Sequence, residues 1–272
     1  MRKRFILLID FSEYSRNLIK YAYEWSIEAN ARILLLHQSN ALVPTLADSE
    51  TKEQIIQQTN NDALRELKTL AQSIIPNTAN FSYSVSENHF QISLSKLLSE
   101  PFDNLVFVGL KGTGMFKKLF LGSVALEIIR NTENIVVAMP KEIDSYTHEK
   151  IYIAVNEKKP LNIIELNNFL RFIDSENTHI TFFYLAYPDE ETKQIENQLR
   201  ELSEKFANRF NTDFAIYEGK NRLEDIKKVI NNKIDEILIV QRGSRFLTDQ
   251  IFRRFLINDL VHEGQTPLIV LP

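Results

Sequence analysis

The sequence predicts two doubly wound α/β domains in one chain, each a five-stranded parallel sheet flanked by helices. Three observations carry this expectation. Short apolar runs alternate with segments of helical period, the rhythm of a parallel sheet covered on both faces. The end of the chain repeats an earlier part at a fixed offset. The length of 272 residues exceeds the roughly 100 to 200 residues of a usual domain, which favours two.

From the N-terminus, Arg4 to Ile9 has the length and apolarity of a buried strand, and Asp10-Phe11-Ser12-Glu13 reads as a turn and helix start. Ser15 to Ala29 follows as helix, Arg32 to His37 as a second strand and Glu50 to Ile75 as a long amphipathic helix. Phe81 to Ser86 alternates as a third strand, Gln91 to Leu98 is a short helix, and Leu105 to Val108 is a fourth strand. Ser123 to Arg130 is helical, Ile135 to Met139 is the fifth strand, and Pro140 ends the unit. The polar stretch Lys141 to Glu149 resets the pattern as a linker would, separating a first domain of residues 1–140 from a second of 150–272.

In the second domain, Lys150 to Val155 repeats the first strand and Leu161 to Ile173 the first helix. His179 to Tyr184, Glu190 to Phe210 and Asp213 to Tyr217 repeat the strand, long helix and strand that come next. Val106 to Val108 falls over Leu238 to Val240, and Ile135 to Pro140 over Pro267 to Pro272, both at an offset of 132. An offset kept over about 35 residues points to duplication.

Composition narrows the function classes. Hydrophobic residues at 44% and charged residues at 25% suit an ordinary globular chain, and without cysteine there is neither a disulfide nor thiolate chemistry. The net charge of −4, from 36 acids and 32 bases, is too balanced for general affinity to nucleic acid or to an anionic membrane. The apolar run Phe5 to Ile9 is far shorter than a signal-peptide core or a membrane span, so the expected compartment is the cytoplasm. The five histidines, at 37, 89, 148, 179 and 262, have no metal-ligand spacing, and no G-x-S-x-G elbow is present.

Glycine is the unusual count. Only seven occur, against an average usage of about 7%, and four of them lie between residues 109 and 122. Where glycine is this rare, a cluster suggests positive φ or close approach of a ligand. The segment runs Gly109-Leu-Lys-Gly112-Thr-Gly114, then Met115 to Leu121, then Gly122-Ser123-Val124 at a helix start. Between Asn104 and Leu126 stand three bases, Lys111, Lys117 and Lys118, and no acid. A helix N-terminus in that field favours an anion, while the plainer reading is a tight loop solvated by lysines. The spacing is not that of a P-loop, because Met115 follows Gly114 where lysine is needed. Nor is it the dinucleotide fingerprint, which sits after the first strand rather than the fourth.

Together with Asp10 at the end of the first strand, the segment resembles the universal stress protein family. Nucleotide-binding members of that family carry G-x2-G-x9-G-[S/T] after the fourth strand, and Gly109, Gly112, Gly122 and Ser123 match every position. The opening Ile6 to Glu13 and the run Leu35-Leu36-His37 are similar to the family's first two strands, and the resemblance covers both halves. It implies a tandem protein of flavodoxin-like or Rossmann-like domains, each sheet in flavodoxin-like order, that binds ATP, with Mg²⁺ on the phosphates. By the same resemblance Ile9 and Asp10 contact the adenine end, and Gln38 takes a strand-two position that is commonly an apolar adenine contact. Val108 and Gly109 line the ribose, while Gly112, Gly122, Ser123 and Val124 hold the phosphates. For Asp10 the other reading is a helix cap.

The second half has lost the motif. At the same offset Gly109 becomes Gln241, Gly112 becomes Ser244, Gly122 becomes Arg254 and Ser123 becomes Phe255, and Asp10 superposes on Asn156. ATP is therefore expected in the first domain alone. Family members associate through their last strands, which implies that Ile135 to Ala138 and Leu268 to Leu271 lie antiparallel across a pseudo-two-fold, within the chain as a pseudo-dimer or between chains as a homodimer. The expected function is a nucleotide-binding stress-response module with at most slow hydrolysis. One alternative is a scaffold of the same fold that binds no nucleotide. Another is an ATP α-hydrolase, although such enzymes place a Ser-Gly-Gly loop where this chain has Asp10-Phe-Ser-Glu13.

Overall fold

The computed structural model describes residues 2–75, 80–110, 123–140, 143–157, 159–186, 190–218, 237–243 and 266–272. The first half runs β1 (Arg2–Ile9), α1 (Tyr14–Ala29), β2 (Ala31–Gln38), α2 (Ser49–Ile74), β3 (Phe81–Ser86), α3 (Phe90–Leu98), β4 (Phe102–Gly109), α4 (Ser123–Asn131) and β5 (Ile135–Met139). The second contains β6 (Lys150–Ala154), α5 (Ile163–Leu170), β7 (His179–Ala186), α6 (Lys193–Phe206), β8 (Asn211–Glu218), β9 (Ile237–Gln241) and β10 (Leu268–Leu271).

The strands form one ten-stranded sheet in the order β3-β2-β1-β4-β5-β10-β9-β6-β7-β8. Each half has five parallel strands, and the halves join where β5 and β10 pair antiparallel, with Leu268 opposite Ala138 and Val270 opposite Val136. The order 3-2-1-4-5 within each half is the Rossmann order, not the flavodoxin order, which corrects one detail of the sequence reading. The chain winds outward from β1 to β3 and then returns to place β4 on the other side of β1. The order therefore reverses between β1 and β4, and ligands of such folds bind at that crevice.

Strand alternation explains the two layers. Along β1, Phe5, Leu7 and Ile9 face the layer that holds α1, α2, α5 and α6, while Ile6 and Leu8 face the layer that holds α3 and α4. Both buried clusters contain residues of both halves, so neither cluster stops at the junction. The one tryptophan, Trp25, is fully buried there, and Phe5, Phe107 and Phe169 surround its ring. It behaves as core.

Local hydrogen bonds set the element ends. Asp48 accepts from the Thr51 N–H at 2.8 Å and starts α2 at Ser49. Helix α5 is shorter than the pattern Leu161 to Ile173 suggests, because Asn162 caps it by accepting from the Glu165 N–H. Helix α6 likewise begins after Glu190, whose carboxylate accepts from the Tyr184 hydroxyl at 2.7 Å.

The linker is held against α1. Lys20 pairs with Asp144 at 2.7 Å, Glu24 accepts from the Tyr146 N–H at 2.8 Å, and Glu28 lies 3.4 Å from His148 Nδ1. Four helical residues rise about 6 Å and two extended residues about 6.6 Å, so every turn of the helix meets every second linker residue. The Tyr146 ring stacks on Trp25 with centroids 4.9 Å apart and planes at 10°. Burial holds the Tyr146 hydroxyl protonated, its pKa raised first by desolvation and then by the neighbouring Tyr21.

Candidate functional site

The carboxyl ends of β1, β2 and β4 meet at the point where the strand order reverses. Leu7 pairs with Leu35 on one side and with Phe107 on the other, so Ile9, His37 and Gly109 stand together two residues further on. Gly109 does not have positive φ. A methyl group placed on it would lie 3.6 Å from Tyr14 Cβ, an ordinary contact. Of the two reasons for a glycine here, left-handed backbone is thus removed, and room above the strand end is the one left.

Asp10 is exposed and directly follows β1. Its Oδ1 accepts from the Ser12 N–H at 3.0 Å and from the Ser15 hydroxyl at 3.3 Å. The residue in the cap position of α1 is Glu13, so Asp10 braces the turn before the helix rather than capping it. Phe11 inside this turn has φ of +56°, a left-handed conformation that costs a phenylalanine about 1–2 kcal/mol. Its ring packs 4.4 Å from that of His37, and His37 Nδ1–H donates to the Ile9 carbonyl at 2.8 Å.

These bonds define what each named residue presents. Ile9 and Val108 have buried side chains, so only their backbones reach the crevice. The Gln38 carbonyl oxygen accepts from the Phe90 N–H at 3.3 Å, which turns the amide toward the first residue of α3. Ser123 opens α4, Val124 is 38% exposed on its first turn, and the free N–H groups of such a turn attract anions. Gly112 and Gly122 lie outside the described residues, as do Ser244, Arg254 and Phe255 of the second half. No group of three or more potential metal-binding side chains occurs among the described residues.

The second half repeats the backbone and changes the side chain. Leu110 N–H donates to the Met139 carbonyl at 2.9 Å, and at the same offset Arg242 N–H donates to that of Leu271 at 2.7 Å. At the position of Gly109 stands Gln241, buried, whose Oε1 accepts from the Asn162 N–H at 2.7 Å. Where β4 ends without a side chain, β9 therefore ends with one that holds the start of α5. The sequence marked Gln241 as a lost glycine and could not reveal its bond. Phe11 and His37 went unnoticed because an αL phenylalanine and a ring–carbonyl bond leave no sequence signal.

Next to Gln241, the Arg242 guanidinium donates to the carbonyls of Thr132, at 2.5 Å, and Arg130, at 3.3 Å. It thereby holds the C-terminal end of α4 in the first half, where a cation is favoured.

Fold and crevice together define a tandem Rossmann-like architecture, and the chain has the universal stress protein fold. A universal stress protein from Archaeoglobus fulgidus DSM 4304 matches it at a TM-score of 0.63 and 15% identity, covering 98% of this chain and 97% of that one. A protein from Pseudomonas aeruginosa UCBPP-PA14, provisionally titled a universal stress protein, matches at a TM-score of 0.55 and 12% identity over 99% and 93%. The cytoplasmic domain of a prokaryotic cation chloride cotransporter matches at 0.55 and 12% over 99% and 95%. No family model and no curated protein matches the sequence. Among the described residues, no helix is long and apolar enough to cross a membrane.

Proposed function

We propose that the protein is a nucleotide-binding regulatory module of the stress-response type, in which the first half binds ATP and the second half does not. The observation that carries this reading is the asymmetry at the two strand ends, where Gly109 has no side chain and Gln241 reaches across to the Asn162 N–H. The crevice suits a ribose, since a sugar placed there meets backbone at Ile9, Val108 and Gly109. In this reading the adenine end lies toward Asp10 and Gln38, and the phosphates lie toward Gly112, Gly122, Ser123 and Val124 at the start of α4. Mg²⁺ accompanies the phosphates.

No described side chain stands out as a base for an attacking water, because the one carboxylate at the crevice, Asp10, already braces the Ser12 turn. The module therefore binds and does not turn over at an enzyme's rate, with hydrolysis below about 0.1 s⁻¹. Binding energy instead biases a conformation or an interface, within a cytoplasmic protein whose halves act as a pseudo-dimer.

Melting the protein with and without ATP-Mg tests the reading. Ligand at about 100 times its dissociation constant adds about 2.7 kcal/mol, which raises the melting temperature of a chain this size by roughly 5–10 °C. An unchanged melting temperature at millimolar ATP-Mg rejects it. The second reading, a scaffold that binds no nucleotide, is favoured by Gln38, whose amide is engaged at Phe90, and by the left-handed Phe11 beside His37. The likeness to a transporter's cytoplasmic domain suits that reading too, as a partner-binding role.

A further inference from the structure

We propose that a groove between the C-terminal turns of α3 and α4 binds a neutral, polyhydroxylated small molecule of the size of a monosaccharide or cyclic polyol. The groove has a volume of about 470 Å³, within the range of about 300–1,000 Å³ typical of small-molecule sites and far more than one water needs. It lies at the opposite end of β4 from Gly109. Helix α3 ends just before β4 begins at Phe102, and Asn134 directly precedes β5, so both flanks stand at the amino ends of the strands.

The lining selects the ligand class. Gln91, Asn131 and Asn134 bring three amides, Ser95 and Ser99 bring hydroxyls, and Glu133 brings one carboxylate. Amides and a carboxylate bind vicinal hydroxyls by donating and accepting at once. Leu94, Leu98 and Ile128 supply an apolar strip that suits the C–H face of a ring. No lysine or arginine lines the groove and one carboxylate, Glu133, does, so a phosphate or carboxylate ligand is disfavoured.

Thr132 is only 9% exposed and its hydroxyl is fully enclosed, so it forms part of the wall and does not reach a ligand in the groove. The helix ends themselves are already served. Arg4 donates to the Leu97 carbonyl at the end of α3, and Arg242 donates to the Thr132 carbonyl at the end of α4, which leaves side chains to make the site.

The test is a titration of the ¹⁵N-labelled full chain with glucose, with myo-inositol and with spermidine, read by amide chemical shifts. Saturable shifts confined to residues 91–99 and 128–134 with one of the two polyols support the site. Ser95→Leu, on the exposed side of α3, obstructs the groove without touching the core and abolishes the shifts. Saturation by spermidine in preference to both polyols overturns the proposal. So does the absence of any saturable shift at these amides, or unchanged polyol affinity in Ser95→Leu.

Discussion

The indole N–H of Trp25, on α1 of the first half, donates a 2.8 Å hydrogen bond to the backbone carbonyl of Phe172, just after α5 of the second. Both ends of this bond are buried, and the Phe172 ring lies 5.8 Å from that of Phe5. The junction of the two halves is therefore interior, made by a directional bond as well as by the β5–β10 pair.

Trp25→Phe keeps an aromatic ring at the junction and removes the donor. The Phe172 carbonyl is then buried and unpaired, and stability falls by about 1–3 kcal/mol beyond any loss of packing. Urea unfolding followed by far-UV circular dichroism reads the difference. Since Trp25 is the one tryptophan, its fluorescence reports the junction alone, and in the wild type it loses native signal at the same urea concentration as the helical signal.

The linker clamp gives a pH dependence of known sign. The hydrogen bond from Asp144 holds the Lys20 ammonium above its usual pKa of 10.5. A raised lysine contributes stability that is present below the unfolded value and is lost as pH rises through the folded one. The stability gap between wild type and Lys20→Met therefore stays constant up to about pH 10 and shrinks above it. The comparison must be differential, because burial lowers the pKa of Lys3 and acts in the opposite direction. Urea midpoints of both proteins at about pH 8 and about pH 11 measure the gap.

Exchanging the two strand-end residues separates folding from binding. Gly109→Ala changes stability by less than about 0.5 kcal/mol, because φ is not positive and the methyl meets Tyr14 at van der Waals distance. Gly109→Gln keeps the fold and loses ATP, since the longer side chain fills the crevice. Gln241→Gly leaves the Asn162 N–H unpaired, lowers stability by about 1–3 kcal/mol and creates no second ATP site. Melting curves with and without ATP-Mg score all three.

Much of the fold was legible in the sequence because its cause is local. The runs Phe81 to Ser86, Ile135 to Met139 and Leu268 to Leu271 are strands with the bounds their apolarity suggests. Arg2, Lys3 and Asp103 extend β1 and β4 beyond their apolar runs, because the ladder pairs residues that hydropathy marks as polar. Strand order is not local. Nothing in the apolar pattern distinguishes the Rossmann from the flavodoxin order, which depends on which side of β1 the chain returns to.

The candidate site was legible to the same degree. Gly109 was marked by the glycine spacing and Asp10 by resemblance to the universal stress protein family, and the β1–β4 ladder brings their strand ends together. What sequence could not supply is the direction of side chains. Gln38 turns to Phe90, His37 to the Ile9 carbonyl and Gln241 to Asn162, each a bond between residues 28 to 79 positions apart in the chain. The linker was read as a separator, yet Tyr146 within it stacks on Trp25, since a single aromatic in a polar stretch does not reveal the ring it packs against.

Isothermal titration of ATP-Mg into the wild type and into Gly122→Arg, which copies Arg254 of the second half into the first, tests the central claim most directly. The account predicts micromolar binding at about one site per chain in the wild type and none in the variant, with both proteins melting alike in the absence of nucleotide. Silence in the wild type at millimolar ATP-Mg, about two sites per chain, or undiminished binding in Gly122→Arg would contradict it.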